Sequence, residues 1–148
     1  MEKEILRELI SQAIIKVERM EKLSEHFSWA EANCKDGTPV PIELHNNAIE
    51  VANQIEVLRF ALGGIPIHVN SWYRTKEYNK SIGGAKQSQH LLAKATDIWV
   101  TGLTPVTIYT LIEALIRLGK MKQGGLGLYN TFCHYDIRGD ISRWDLRT

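Results

Sequence analysis

Residues 88–97 read SQHLLAKATD, and the spacing inside that decapeptide organises the rest of the chain. From Lys94 to Val100 the side chains alternate in character, which predicts a strand with Ala95, Asp97 and Trp99 on one face and Thr96, Ile98 and Val100 on the other. His90 then lies on the loop entering that strand, seven positions before Asp97. A second candidate strand, Phe132–Ile137 within FCHYDIRG, carries His134, with Asp136 two residues further on the same face. If the two strands are neighbours, sheet pairing brings His90, Asp97 and His134 together. Two imidazoles and a carboxylate form a catalytic zinc set, in which three protein ligands leave a fourth position open.

Working outward, Ile5–Met20 has apolar residues at helical spacing and is an amphipathic helix expected to pack on the domain, with self-association or docking of a partner as the alternative. Ser28 and Glu31 have the form of a capping box at the start of FSWAEAN, and Cys34–Pro41 is a loop. Ile42–Leu62 is helical in period and stops at Gly63-Gly64, after which Pro66–Asn70 reads as a strand. Arg74–Gln87 is polar and glycine-bearing, a short helical turn with an irregular loop. Thr104-Pro105 opens a helix that runs to Leu118. Gly127–Tyr129 and Phe132–Ile137 are close enough to pair as a hairpin, and RGDISRWDLRT is expected as a surface tail that tucks in Trp144. The class is α+β, a small antiparallel sheet flanked by helices, in one domain over 1–148 with 1–22 as an additional helix.

Composition sets further bounds. The 148 residues suit one domain with a real core. A net charge of +1 gives no footprint for nucleic acid. Cys34 and Cys133 match neither a disulfide framework nor a CxxC site, so both are expected as buried thiols. The amino-terminal segment has charge in every turn, which fits neither a signal peptide nor a membrane span.

The segment S-x-H-x-x-A-x-A-x-D of Ser88–Asp97 resembles the S-x-H-x-x-G-x-A-x-D pattern of the zinc D-Ala-D-Ala carboxypeptidase family, whose fold is shared with lysostaphin-type peptidases and the hedgehog signalling domain. SWYR at Ser71–Arg74, Asn79, GGA at Gly83–Ala85 and the late H-x-D of His134 and Asp136 extend the likeness across Phe27–Trp144. The resemblance implies Zn2+ held by His90, Asp97 and His134, a hydrolase acting through metal-activated water, and a peptidoglycan stem peptide containing D-amino acids as substrate, whether trimmed at its terminus or cut within. It also implies that Arg74 faces the substrate, where a guanidinium suits a peptide carboxylate. Tyr73 is either a core residue or a wall of the cleft beside Arg74. Ser88 is expected to hold the His90 loop by a local hydrogen bond.

Two positions depart from the family pattern. Ala93 stands where glycine is usual, which matters if that backbone takes a positive φ. YNTFC at 129–133 lacks the acidic residue or histidine that some relatives place before the last ligand. Asp136 is the substitute, either as general base toward the activated water or as an acceptor that orients a ligand histidine and anchors Arg138. The rival class is a binding or structural protein that keeps the scaffold without turnover. The expected location is cytoplasmic as synthesised, with release to the cell wall as a phage or prophage lysin, or with action on recycled wall fragments inside the cell.

Overall fold

The computed structural model describes all residues, Met1–Thr148. Five helices, α1 (Glu2–Met20), α2 (Trp29–Ala32), α3 (His45–Ala61), α4 (Lys76–Ser81) and α5 (Pro105–Arg117), accompany five strands, β1 (His68–Ser71), β2 (Ala95–Trp99), β3 (Gly125–Leu128), β4 (Cys133–Asp136) and β5 (Ser142–Asp145). The strands form one sheet in the order β1-β2-β4-β3-β5. All pairs are antiparallel except β3 with β5, which is parallel.

The local signals account for most boundaries. Ser28 caps α2 in a complete capping box with Glu31. Thr104 accepts from the Thr107 amide at the start of α5, with proline at the first turn. Thr75 caps α4 in the same way. The helix expected from Ile42 begins as a 3₁₀ turn over Ile42–Leu44 and becomes α-helical at His45.

One face of the sheet is covered by helices. α5 packs on β3 and β4, and α3 packs on α5. Ile98, Leu126, Cys133 and Tyr135 of the sheet join Val51, Ile55, Leu58, Ile108 and Ile112 in a single buried cluster. The opposite face carries the polar residues. Strand register aligns Ser71, Asp97, His134, Gly127 and Trp144 in one row across all five strands. Asp136 lies beside Ala95 in the row two residues along.

Two expectations fail here. The carboxyl-terminal segment is not only a surface tail, because Ser142–Asp145 pairs with β3 and is pinned to α5 by Arg143, which donates to Glu113 Oε1 at 2.7 Å and to the Gly124 carbonyl at 2.6 Å. Nor does α1 pack on the domain, since none of its residues is buried. The isolated bridge between Lys22 and Ser28 and the hydrogen bond from the Trp29 amide to the Glu21 carbonyl hold only its end. No helix is long and apolar enough to cross a membrane.

Candidate metal centre

β2 and β4 pair with Asp97 opposite His134, so the strand register places those two side chains side by side. His90 reaches them from a 3₁₀ turn, Gln89–Leu92, that begins where the Ser88 hydroxyl accepts from the His90 amide at 3.2 Å. The turn ends at Ala93, whose φ of 56° makes it the one non-glycine residue with positive φ. A left-handed alanine is costly by about 1–2 kcal/mol. Ala93 is nevertheless fully buried, so its methyl group recovers part of that cost through packing.

His90, Asp97 and His134 are all buried, and one ligand atom from each lies within 4.8 Å of the others. Asp97 Oδ1 is 3.2 Å from His90 Nε2 and 3.0 Å from His134 Nδ1. The far nitrogens decide what these atoms offer. His90 Nδ1 is 2.6 Å from the Trp72 carbonyl, which only accepts, so Nδ1 carries the proton and Nε2 presents a lone pair. His134 Nε2 is 2.7 Å from Asp136 Oδ2 and donates to it, which leaves Nδ1 as the lone-pair atom of the neutral ring. Three lone pairs therefore converge on one point in a buried site. Such an arrangement is repulsive unless a metal ion, or in its absence a proton on His134 Nδ1, sits among the lone pairs, and the nitrogen and oxygen donors suit zinc.

The charges agree with the geometry. Although burial works against it, the neighbouring His90 and His134 hold the Asp97 carboxyl well below the usual carboxylate range. Burial pushes His90 down from its ordinary value. His134 goes the other way, because its hydrogen bonds to Asp136 and Asp97 outweigh its burial.

Asp136 is buried and fully subscribed. Its Oδ1 accepts from the Gly125 amide at 2.8 Å, from the Arg138 amide at 3.1 Å and from Arg138 Nε at 2.9 Å. Its Oδ2 accepts from Arg138 Nη2 and His134 Nε2, both at 2.7 Å. Despite burial, these partners, His134 and Arg138 foremost, keep it ionised far below the ordinary carboxylate pKa. Gly125 makes room for the carboxylate, since a methyl group there would collide with Oδ2.

Arg74 grips the other oxygen of Asp97, Nη2 to Oδ2 at 2.9 Å, while Nε donates to Ser71 and Nη1 to Asn79. Asn79 in turn donates to the Ala85 carbonyl and packs against Gly84, where any side chain would overlap it. The scattered pieces SWYR, Asn79 and GGA are thus one hydrogen-bonded brace behind Asp97. Each terminal nitrogen of Arg74 keeps a second N–H, and the residue lines a cleft of about 790 Å³ over the site.

Ser88, His90, Asp97, His134 and Arg138 line the same cleft. Tyr73 does not, being 9% exposed and part of the core cluster. The opposite wall is Tyr129 and Trp144, which sequence reading left without a role in the site. Trp144 lies 4.9 Å from the His134 ring between centroids, donates to the Tyr129 hydroxyl at 3.0 Å and sits under the Arg138 guanidinium. It fits there because residue 127 is glycine, where a side chain would strike the indole. A glycine at the centre of a strand is the signal that marks such a close approach. The remaining histidines lie elsewhere, His26 paired with Glu56, His45 against Trp29 and His68 stacked on Trp99. Both cysteines are free and buried, and burial pushes the Cys133 thiol up, so it is no nucleophile.

Comparisons with known proteins identify the family. The chain is 31% identical over 78 residues to a zinc D-Ala-D-Ala carboxypeptidase of Streptomyces albus G, an alignment covering 49% of this chain and 31% of that protein. The chain thus spans well under half the length of that relative. The family model described as Peptidase M15 matches residues 19–136, from the end of α1 through β4, and with that span of the chain accounted for, the protein belongs to the peptidase M15 family.

Proposed function

We propose that the protein is a zinc-dependent metallopeptidase acting on peptidoglycan stem peptides that contain D-amino acids. The observation that carries this reading is the convergence of His90 Nε2, His134 Nδ1 and Asp97 Oδ1 at the floor of an open cleft. Bound zinc supplies Lewis acidity, polarising a carbonyl and lowering the pKa of water toward ~7. The similarity to a zinc D-Ala-D-Ala carboxypeptidase supports both the metal and the substrate class.

The chain's own residues have separable tasks. The Trp72 carbonyl and Asp136 keep the outer nitrogens of the two histidines protonated, so that the inner ones remain donors to the metal. Arg74 holds Asp97 in place and offers its spare N–H groups to a substrate carboxylate or carbonyl. Trp144 and Tyr129 form an apolar wall that limits water around the scissile bond. Asp136 acts as the positioning residue of His134, a role supported by the occupancy of both its oxygens.

A second reading rests on one specific observation. Asp97 is the only carboxylate lining the cleft, and it is also a ligand, so no free carboxylate stands ready as general base. That favours a binding protein which retains the metal and the cleft without turnover. Metal analysis of the purified protein, followed by release of free amino groups from peptidoglycan with and without a chelator, separates the two. Chelator-sensitive release supports the peptidase. Stoichiometric zinc with no release supports the binding module, and absence of zinc binding overturns both.

A further inference from the structure

The feature that the metal site leaves unexplained is α1. Its apolar side chains are 44–70% exposed from Ile5 to Met20, and none of its residues is buried. Helices of globular proteins owe most of their stability to packing of the apolar face rather than to intrinsic propensity. This one has no face of its own domain to pack on. The stripe has heptad spacing, with Leu6, Ala13 and Met20 at one core position and Ile10 and Val17 at the other.

We propose that α1 is a self-association element, pairing in parallel with α1 of a second copy along the Leu6, Ile10, Ala13, Val17, Met20 seam. Charge along the flanks selects both the occupant and its direction. In a parallel pair each flanking residue meets the one five positions later in the other helix, which sets Glu2 against Arg7 and Lys16 against Glu21, with Leu9 against Ile14 between them. Both ionic contacts are attractive and the apolar pair extends the seam. In the antiparallel arrangement with the same core layers, Arg7 meets Ile14 and Leu9 meets Lys16, which sets charge against hydrocarbon. β-branched Ile10 and Val17 at one core position, with Leu6 at the other, favour two parallel strands. An anionic lipid surface is a poorer occupant, because Glu2, Glu4, Glu8 and Glu18 balance Lys3, Arg7, Lys16 and Arg19.

The test uses the full chain in sedimentation equilibrium over roughly a hundredfold range of concentration. A reversible dimer is expected, and Ile10→Asp should weaken it by more than about tenfold. Because that variant can also unwind the helix, a charge cycle accompanies it. Lys16→Glu and Glu21→Lys should each weaken the dimer, and the double variant should restore it, which general helix loss does not produce. Leu6→Cys should cross-link copies under mild oxidation, as parallel pairing requires. A monomer at every concentration, with or without binding to phosphatidylglycerol vesicles, overturns the proposal, as does a dimer that Ile10→Asp leaves intact. None of these readouts depends on zinc or on peptide hydrolysis.

Discussion

Replacing Asp136 by asparagine separates the two roles open to that residue. The wild-type carboxylate accepts five hydrogen bonds, three on Oδ1 and two on Oδ2. An amide that keeps its oxygen toward Gly125 and the Arg138 amide turns its NH₂ toward Arg138 Nη2 and His134 Nε2, where both partners also donate. His134 relieves its side of that conflict by moving its proton to Nδ1, the atom that faces the metal. Zinc affinity should then fall about 10–100-fold, the usual effect of losing a partner of this kind. Breaking a buried ion pair costs about 3–5 kcal/mol, but Arg138 is 31% exposed and rehydrates in part, so about 2–3 kcal/mol is expected. For a domain of this size that is a drop in Tm of about 5–10 °C. Competition with a chromophoric chelator measures the affinity, and thermal unfolding with excess chelator measures the stability. If D136N binds zinc within about twofold of wild type while hydrolysis disappears, the orienting role is wrong and Asp136 is the base.

Other outcomes follow from the same geometry. Asp97→Ala should purify without stoichiometric zinc by elemental analysis, because it removes one of three donors and frees Arg74 from its partner. Gly127→Ala should push Trp144 off the sheet and cost about 1–3 kcal/mol in chemical denaturation, with a change in tryptophan fluorescence; unchanged stability would contradict the packing of the indole against the strand. In the metal-free protein His134 has a raised pKa, because hydrogen bonds to Asp136 and Asp97 outweigh burial, so it holds a second proton below that value and surrenders it to the metal. Zinc binding near neutral pH should therefore release protons and strengthen as pH rises through the raised value, which calorimetry in buffers of different ionisation heat will show.

How much of this was legible in the residues depends on the range of the interaction. The Ser28–Glu31 capping box, the Thr104-Pro105 start and the strand over Ala95–Trp99 rest on contacts between near neighbours, and the chain displays them openly. The convergence of the proposed ligand trio was legible for a related reason: spacing along two strands sets which side chains share a face, and pairing those strands does the rest. The parallel pairing of β5, the standing-off of α1 and the withdrawal of Tyr73 into the core depend on partners distant in sequence, for which local periodicity carries no signal. The role of Asp136 is the clearest case. Its spacing from His134 is the same for a base and for an orienting acceptor, and it is the arrival of Gly125 and Arg138 around the carboxylate, which only the tertiary structure decides, that supports the proposed orienting role, because an oxygen already accepting from fixed donors has no lone pair left for a substrate water.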